Sequence, residues 1–281
     1  MKGINPKNLP SSDWEWLEDN GLWNRNAAAK WYTPLLDTEK ALALIQRTNR
    51  IEIRLPNVQL GRTADSLEGE NLLHLRGFGK LKKLLPPRTL NDEGLEYISN
   101  LGKLTHLYIA GNNYTIKGLK NLSNLIKLKT LTLEWLPEGT KAIEIIASLP
   151  KLSFLELHTT DVTNEDMIPL KKSNLTKLNI GGKNITGDAL EHVGQIVTLE
   201  NLMLGNVNTQ KITDDSLKYI QGLPNLKRLT LKATEVTENG LANLEPLKSL
   251  RKLQLKREMC KSVAAQALKA KIPGLTIKDN A

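Results

Sequence analysis

Apolar residues in this chain return on a fixed beat. The pattern LxxLxL, with occasional Ile or Pro in place of a leucine, begins at Leu81, Leu104, Leu128, Leu152, Leu175, Leu199, Leu226 and Leu250, and a shortened copy starts at Leu275. Successive starts lie 23, 24, 24, 23, 24, 27, 24 and 25 residues apart. Inside each copy, the LxL portion alternates apolar and other residues, the period of a strand with one buried face. LTHLYIAG from Leu104, LKTLTLEW from Leu128 and LKRLTLKA from Leu226 show it. A turn follows each, and then a stretch with helical spacing, as in GLEYISNLGKL, AIEIIASLPKL and SLKYIQGLPNL.

One strand and one return segment cannot bury their leucines alone. Stacked neighbours close a continuous core and line up the strands as a parallel sheet. Thr163, Thr186, Thr213 and Thr237 each follow Val or Ile and precede a polar turn. They are expected to accept a backbone N–H at the start of the return helix. Gly94, Gly118 and Gly240 stand where the chain enters that helix, and a tight turn is expected there.

On these motifs, residues 47–281 resemble the leucine-rich-repeat family, whose pattern is LxxLxLxxN/CxL. Units of about 24 residues with Thr-rich turns (ATEVTENGL, TTDVTNEDM, GKNITGDAL) look like bacterial repeats related to the cysteine-containing subtype. The resemblance implies an α/β solenoid, a curved horseshoe with its parallel sheet on the concave face and helices and turns on the convex face. The ninth motif position departs from the family. Asn112 keeps the asparagine and Thr160 and Thr234 substitute for it, but Leu136, Lys183, Val207 and Glu258 do not. Irregular turns between repeats are expected from this.

The expected organisation is a Trp-rich N-terminal helical cap at 1–46 and a repeat domain at 47–281. The latter divides into a degenerate first repeat (47–80), regular repeats (81–274) and a C-terminal cap strand (275–281). Trp14, Trp16, Trp23 and Trp31 all fall in the first segment, suiting it to cover the exposed end of a stack.

Composition narrows the function classes. The net charge of +9 is a mild bias, 39 basic against 30 acidic residues, without a run of like charges of the kind that grips nucleic acid. The single cysteine, Cys260, excludes an intramolecular disulfide. It suits a reducing compartment or a bacterial source, and packing in the core is its expected role. No apolar run approaches the roughly 18 residues of a membrane span. MKGINPKNLPSSDW has no signal-peptide character. A cytoplasmic, monomeric protein is expected, with a secreted bacterial protein whose leader is not visible as the alternative. GxSxG, GxxxxGK[ST], HExxH and CxxC are absent. No catalytic residue, metal ligand or cofactor is therefore assigned.

What remains is a binding face. Repeat positions 3, 5 and 7 point away from the leucine core. They give His106 and Tyr108; Thr132 and Glu134 with the adjacent Trp135; Phe154, Glu156 and His158; Lys177 and Asn179; then Arg228, Lys232, Lys252 and Lys256. The middle of this face is aromatic and acidic, and its C-terminal third is basic. Outward aromatics are common anchors of protein interfaces. The expected function is a non-catalytic module that binds another protein on the concave face, with the basic end favouring an acidic partner. The alternative is a binder of nucleic acid or acidic glycan through the basic C-terminal repeats.

Overall fold

A computed structural model describes residues 52–54, 79–86, 88–158, 161–204, 211–231 and 234–279. The expected N-terminal cap, Lys232, Thr160 and Val207 lie outside the described residues. The chain divides into two compact units, 1–131 with 149–151 and 132–148 with 152–281. In the first, strands β1 (Glu52–Arg54), β2 (Lys83–Leu85) and β3 (His106–Ile109) pair parallel in chain order. Strand β4 (Thr130–Leu133) crosses from the first unit into the second.

In the second unit β5 (Phe154–Leu157), β6 (Lys177–Ile180), β7 (Asn201–Leu204), β8 (Arg228–Leu231), β9 (Lys252–Leu255) and β10 (Thr276–Asp279) pair parallel, each with the next. Their register is that of the repeat: Leu155, Leu178, Leu202, Leu229 and Leu253 are successive partners and at most 1% exposed. Each such leucine contributes about 1.5–3 kcal/mol relative to exposure. A column of them fixes the pairing register, because a one-residue slip would turn every leucine outward.

The return segments are α-helical in some repeats and tighter 3₁₀ turns in others. Helices α1 (Asp92–Ser99), α2 (Ile116–Lys120), α3 (Gly139–Ala147), α4 (Ala189–Val193) and α5 (Val263–Lys271) fill this place in five repeats, and 3₁₀ segments at Glu165–Lys172, Asp215–Ile220 and Asn239–Leu244 fill it in three others among the described residues. A 3₁₀ turn rises about 2.0 Å per residue against about 1.5 Å for an α-helix. Six residues thus span a layer that would need eight in α form, which suits a short repeat. This is the architecture of an α/β leucine-rich-repeat solenoid.

The threonines of the turns do more than the capping expected of them, which Thr186 and Thr237 keep. Thr237 donates its backbone N–H and its hydroxyl to the two carboxylate oxygens of Asp214, one repeat earlier, at 2.7 and 2.6 Å. Thr115 does the same to Asp92, both at 2.6 Å. Asn164 plays the acidic residue's part for Thr186, accepting its N–H at 2.9 Å and donating to its hydroxyl at 2.8 Å. Thr163 bonds Asp166 within its own turn, and Thr213 donates its N–H to Ser216. Capping by Thr237 and Thr186 survives as a weaker second bond, from the N–H of Asn239 and Asp188 at 3.2 and 3.3 Å. The repeats are thus clamped to one another at the helix mouth, in place of an asparagine ladder.

The same clamp corrects the reading of the glycines. Gly94, Gly118 and Gly240 are not among the residues with positive φ, so no tight left-handed turn requires them. A Cβ on Gly240 would instead sit 2.2 Å from Oδ1 of Asp214, and one on Gly118 2.2 Å from Oδ1 of Asp92. The space a side chain needs is filled by the neighbouring repeat's carboxylate.

Candidate functional site

The outer face of each strand, opposite the leucines, carries the residues singled out in the sequence. In the first unit His106 is exposed and Tyr108 half-buried on β3. The second unit holds the other described ones in an ordered array. One row runs Phe154, Lys177, Asn201, Arg228, Lys252 and Thr276 on successive strands. The next runs Glu156, Asn179, Met203, Thr230, Gln254 and Lys278. Phe154 and Glu156 are half-buried, while Lys177, Arg228 and Lys252 are exposed. Beyond the strand ends Glu134, Trp135, His158 and Lys256 are half-buried.

Two residues expected as contacts are covered. Thr132 and Asn179 are 5% and 3% exposed because their side chains are turned to Glu156. Thr132 donates to Oε2 of Glu156 at 3.2 Å, and the Asn179 amide donates to Oε1. Nε2 of His158 lies 3.3 Å from the same Oε1. Glu156 is thereby held in one place by three neighbours, its carboxylate at the centre of a polar network. Oδ1 of Asn179 is left buried without a hydrogen-bond partner among the described residues. A fixed, half-exposed carboxylate beside Phe154 is a preorganised acceptor for a partner's donor.

Further along, the face is cationic. A depression of about 380 Å³ is lined by Arg228, Lys252 and Lys278 with Asn201, Thr230 and Gln254 among its other residues, and no carboxylate among the described residues lines it. Thr230 donates to Gln254 at 2.7 Å across its floor. Lys278 was missed in the sequence because the ninth copy is truncated. Its signal was the spacing of 24 residues from Gln254, within the 23 to 27 residues that link the other members of that row.

Among the described residues no group of three or more His, Cys, Asp and Glu side chains is placed to hold a metal ion. Cys260 is half-buried rather than in the core, its Sγ 3.4 Å from the Lys256 carbonyl. Burial pushes its thiol pKa up, with the charges of Asp279 and Glu258 acting in the same direction. No helix among the described residues is long and apolar enough to cross a membrane.

No protein-family model matches the chain. A protein of Trypanosoma equiperdum named "Putative adenylate cyclase regulatory protein" is 29% identical over 192 residues, 66% of this chain and 29% of that protein. The chain therefore spans less than a third of the length of this curated relative. A crystal structure of an internalin from Listeria monocytogenes aligns over 85% of this chain and 76% of its own length, at 16% identity and a TM-score of 0.46.

Proposed function

We propose that the chain is a non-catalytic protein-interaction module that holds its partner on the outer face of the sheet. The observation that carries this reading is the Phe154–Glu156–His158 array. A half-buried ring stands next to a carboxylate immobilised by Thr132, Asn179 and His158, on a strand whose other face is fully committed to the core. Aromatic anchors of this kind dominate interface energetics, with truncation costing about 2 kcal/mol or more, roughly 30-fold in affinity. Rigid polar neighbours lower the ordering cost on binding. No residue is assigned to chemistry: on this face the Glu156–His158 pair and the Thr132 hydroxyl serve to hold the carboxylate in place.

The test is a chain in which Tyr108, Trp135 and Phe154 are all replaced by alanine. Captured against extract of its native cells, it should lose its partner at least about 30-fold while far-UV circular dichroism stays unchanged. Retention of the partner by the triple variant would place the binding surface elsewhere.

A further inference from the structure

We propose that the β8–β10 end of this face is a carboxylate-binding subsite. The occupant we infer is an extended peptide segment, acidic where it crosses β8–β10 and apolar where it reaches Phe154. The inference rests on the outer face being the binding surface and adds the chemistry of what lies there.

The first support is an uncompensated charge arrangement. Arg228 and Lys252 are direct cross-strand partners, so their side chains leave the sheet about 4.8 Å apart. Like charges directly opposite one another are destabilising. The fold has no need of them, for Thr130 and Thr276 occupy the same repeat position on β4 and β10. Lys278 adds a third cation one row over, opposite Gln254. Two acidic residues adjoining these strands in sequence face other cations: Glu200 pairs with Lys227 at 3.0 Å and Asp279 approaches Arg257 at 4.0 Å. The depression between the three cations is thus a positive pocket lined by amide and hydroxyl groups and, among the described residues, by no carboxylate. Such a pocket concentrates anions and orients them.

The second support decides between a peptide and a uniform polyanion. In the same unit, the opposite end of the face carries Glu134 and Glu156 beside Trp135 and Phe154. A nucleic acid or sulfated glycan lying across the face would drive its own charges onto those two carboxylates. A peptide can change character along its length. From β4 to β10 there are six strand spacings, about 29 Å, which an extended chain covers in roughly nine residues.

The experiment is fluorescence anisotropy with the full 281-residue chain and three labelled probes. One is a peptide of about nine residues with glutamates blocked at one end and leucine, phenylalanine and lysine at the other. The second has the same residues in alternating order, and the third is a single-stranded oligonucleotide of similar length. The blocked peptide should bind about tenfold tighter than the alternating one, and R228E/K252E should weaken it by about tenfold or more. R228Q/K252Q, which keeps side-chain bulk and removes the opposed charges, should weaken it in the same direction with a melting temperature at or above that of the wild type.

The control is K103E/K127E, in the lysine column Lys103, Lys127 and Lys151 that precedes successive strands. There the hydrogen bond and charge of Lys103 lower the pKa of Lys127. This change should leave peptide affinity within roughly twofold. Equal affinity for the two peptides, or indifference to both Arg228/Lys252 variants, overturns the subsite. So does an oligonucleotide that binds tighter than the blocked peptide and is lost equally in R228E/K252E and K103E/K127E. If the peptide preference fails while the Tyr108/Trp135/Phe154 variant still loses its partner, the subsite is rejected and the face stands. If neither experiment responds, both are rejected.

Discussion

Replacing Gly240 by alanine should destabilise the protein, and the size of the loss should depend on a residue in the preceding repeat. The new Cβ would lie 2.2 Å from Oδ1, 2.7 Å from Cγ and 3.0 Å from Cβ of Asp214. No real Cβ tolerates the first two distances, so the carboxylate must swing out and release the N–H and hydroxyl of Thr237. Each bond to a charged acceptor is worth about 1.5–3 kcal/mol when sheltered. This site is partly exposed, so screening brings the pair to about 2–3 kcal/mol. Alanine's advantage over glycine in a helical segment offsets about 0.5–1 kcal/mol of that. A net loss of about 2 kcal/mol follows, read as a lower urea midpoint at constant slope. In an Asp214→Ala background only the 3.0 Å contact with Cβ is left, and Gly240→Ala should cost less than about 1 kcal/mol.

The sister site gives the contrast. A Cβ on Gly118 would also meet the backbone Cα of Asp92, at 2.7 Å. Asp92→Ala should therefore lower the cost of Gly118→Ala only in part, leaving it more costly than Gly240→Ala is in the Asp214→Ala background. Equal costs of Gly240→Ala in both backgrounds would refute the clamp as the reason for the glycine, as would a neutral Asp214→Ala.

Two further outcomes follow from the outer face and the last turn. Asn179→Asp would set a second carboxylate against Glu156 in place of a donor. It should destabilise by about 1–3 kcal/mol at neutral pH. The gap to wild type should narrow as the pH falls far enough to protonate one of the two acids, in urea titrations at each pH. Cys260 has its thiol pKa raised, so it should alkylate more slowly at neutral pH than a free cysteine. Asp279→Asn should speed it, and a rate independent of that change would remove Asp279 from the account.

The strand positions were legible because burial repeats with the leucines. Every first, fourth and sixth motif position from Leu104 to Ile109 and from Leu128 to Leu133 is at most 1% exposed, and hydrophobic period alone dictates that. The outward row was legible by the same alternation, but which of its members are open was not. Thr132 and Asn179 lie on the expected side and are covered because Glu156 stands between them, a fact of neighbouring strands rather than of either one. The clamp was hidden for a related reason. Asp92 and Thr115, like Asp214 and Thr237, are 23 residues apart, so a reading that seeks each helix's cap inside its own turn cannot pair them. Searching for acid and threonine at an offset of one repeat would have found both pairs.

The clamp also changes what counts as a module in this chain. At three seams an acid or asparagine in one period grips a threonine in the next, so a block cut from Leu to Leu there carries only half of that grip. Duplication or grafting by such blocks leaves a mismatched joint at each such seam unless the acid or its asparagine stand-in travels with its threonine. The heritable unit is the seam between consecutive periods, and a lengthened descendant of this protein should keep those offset pairs even where its outward residues have drifted.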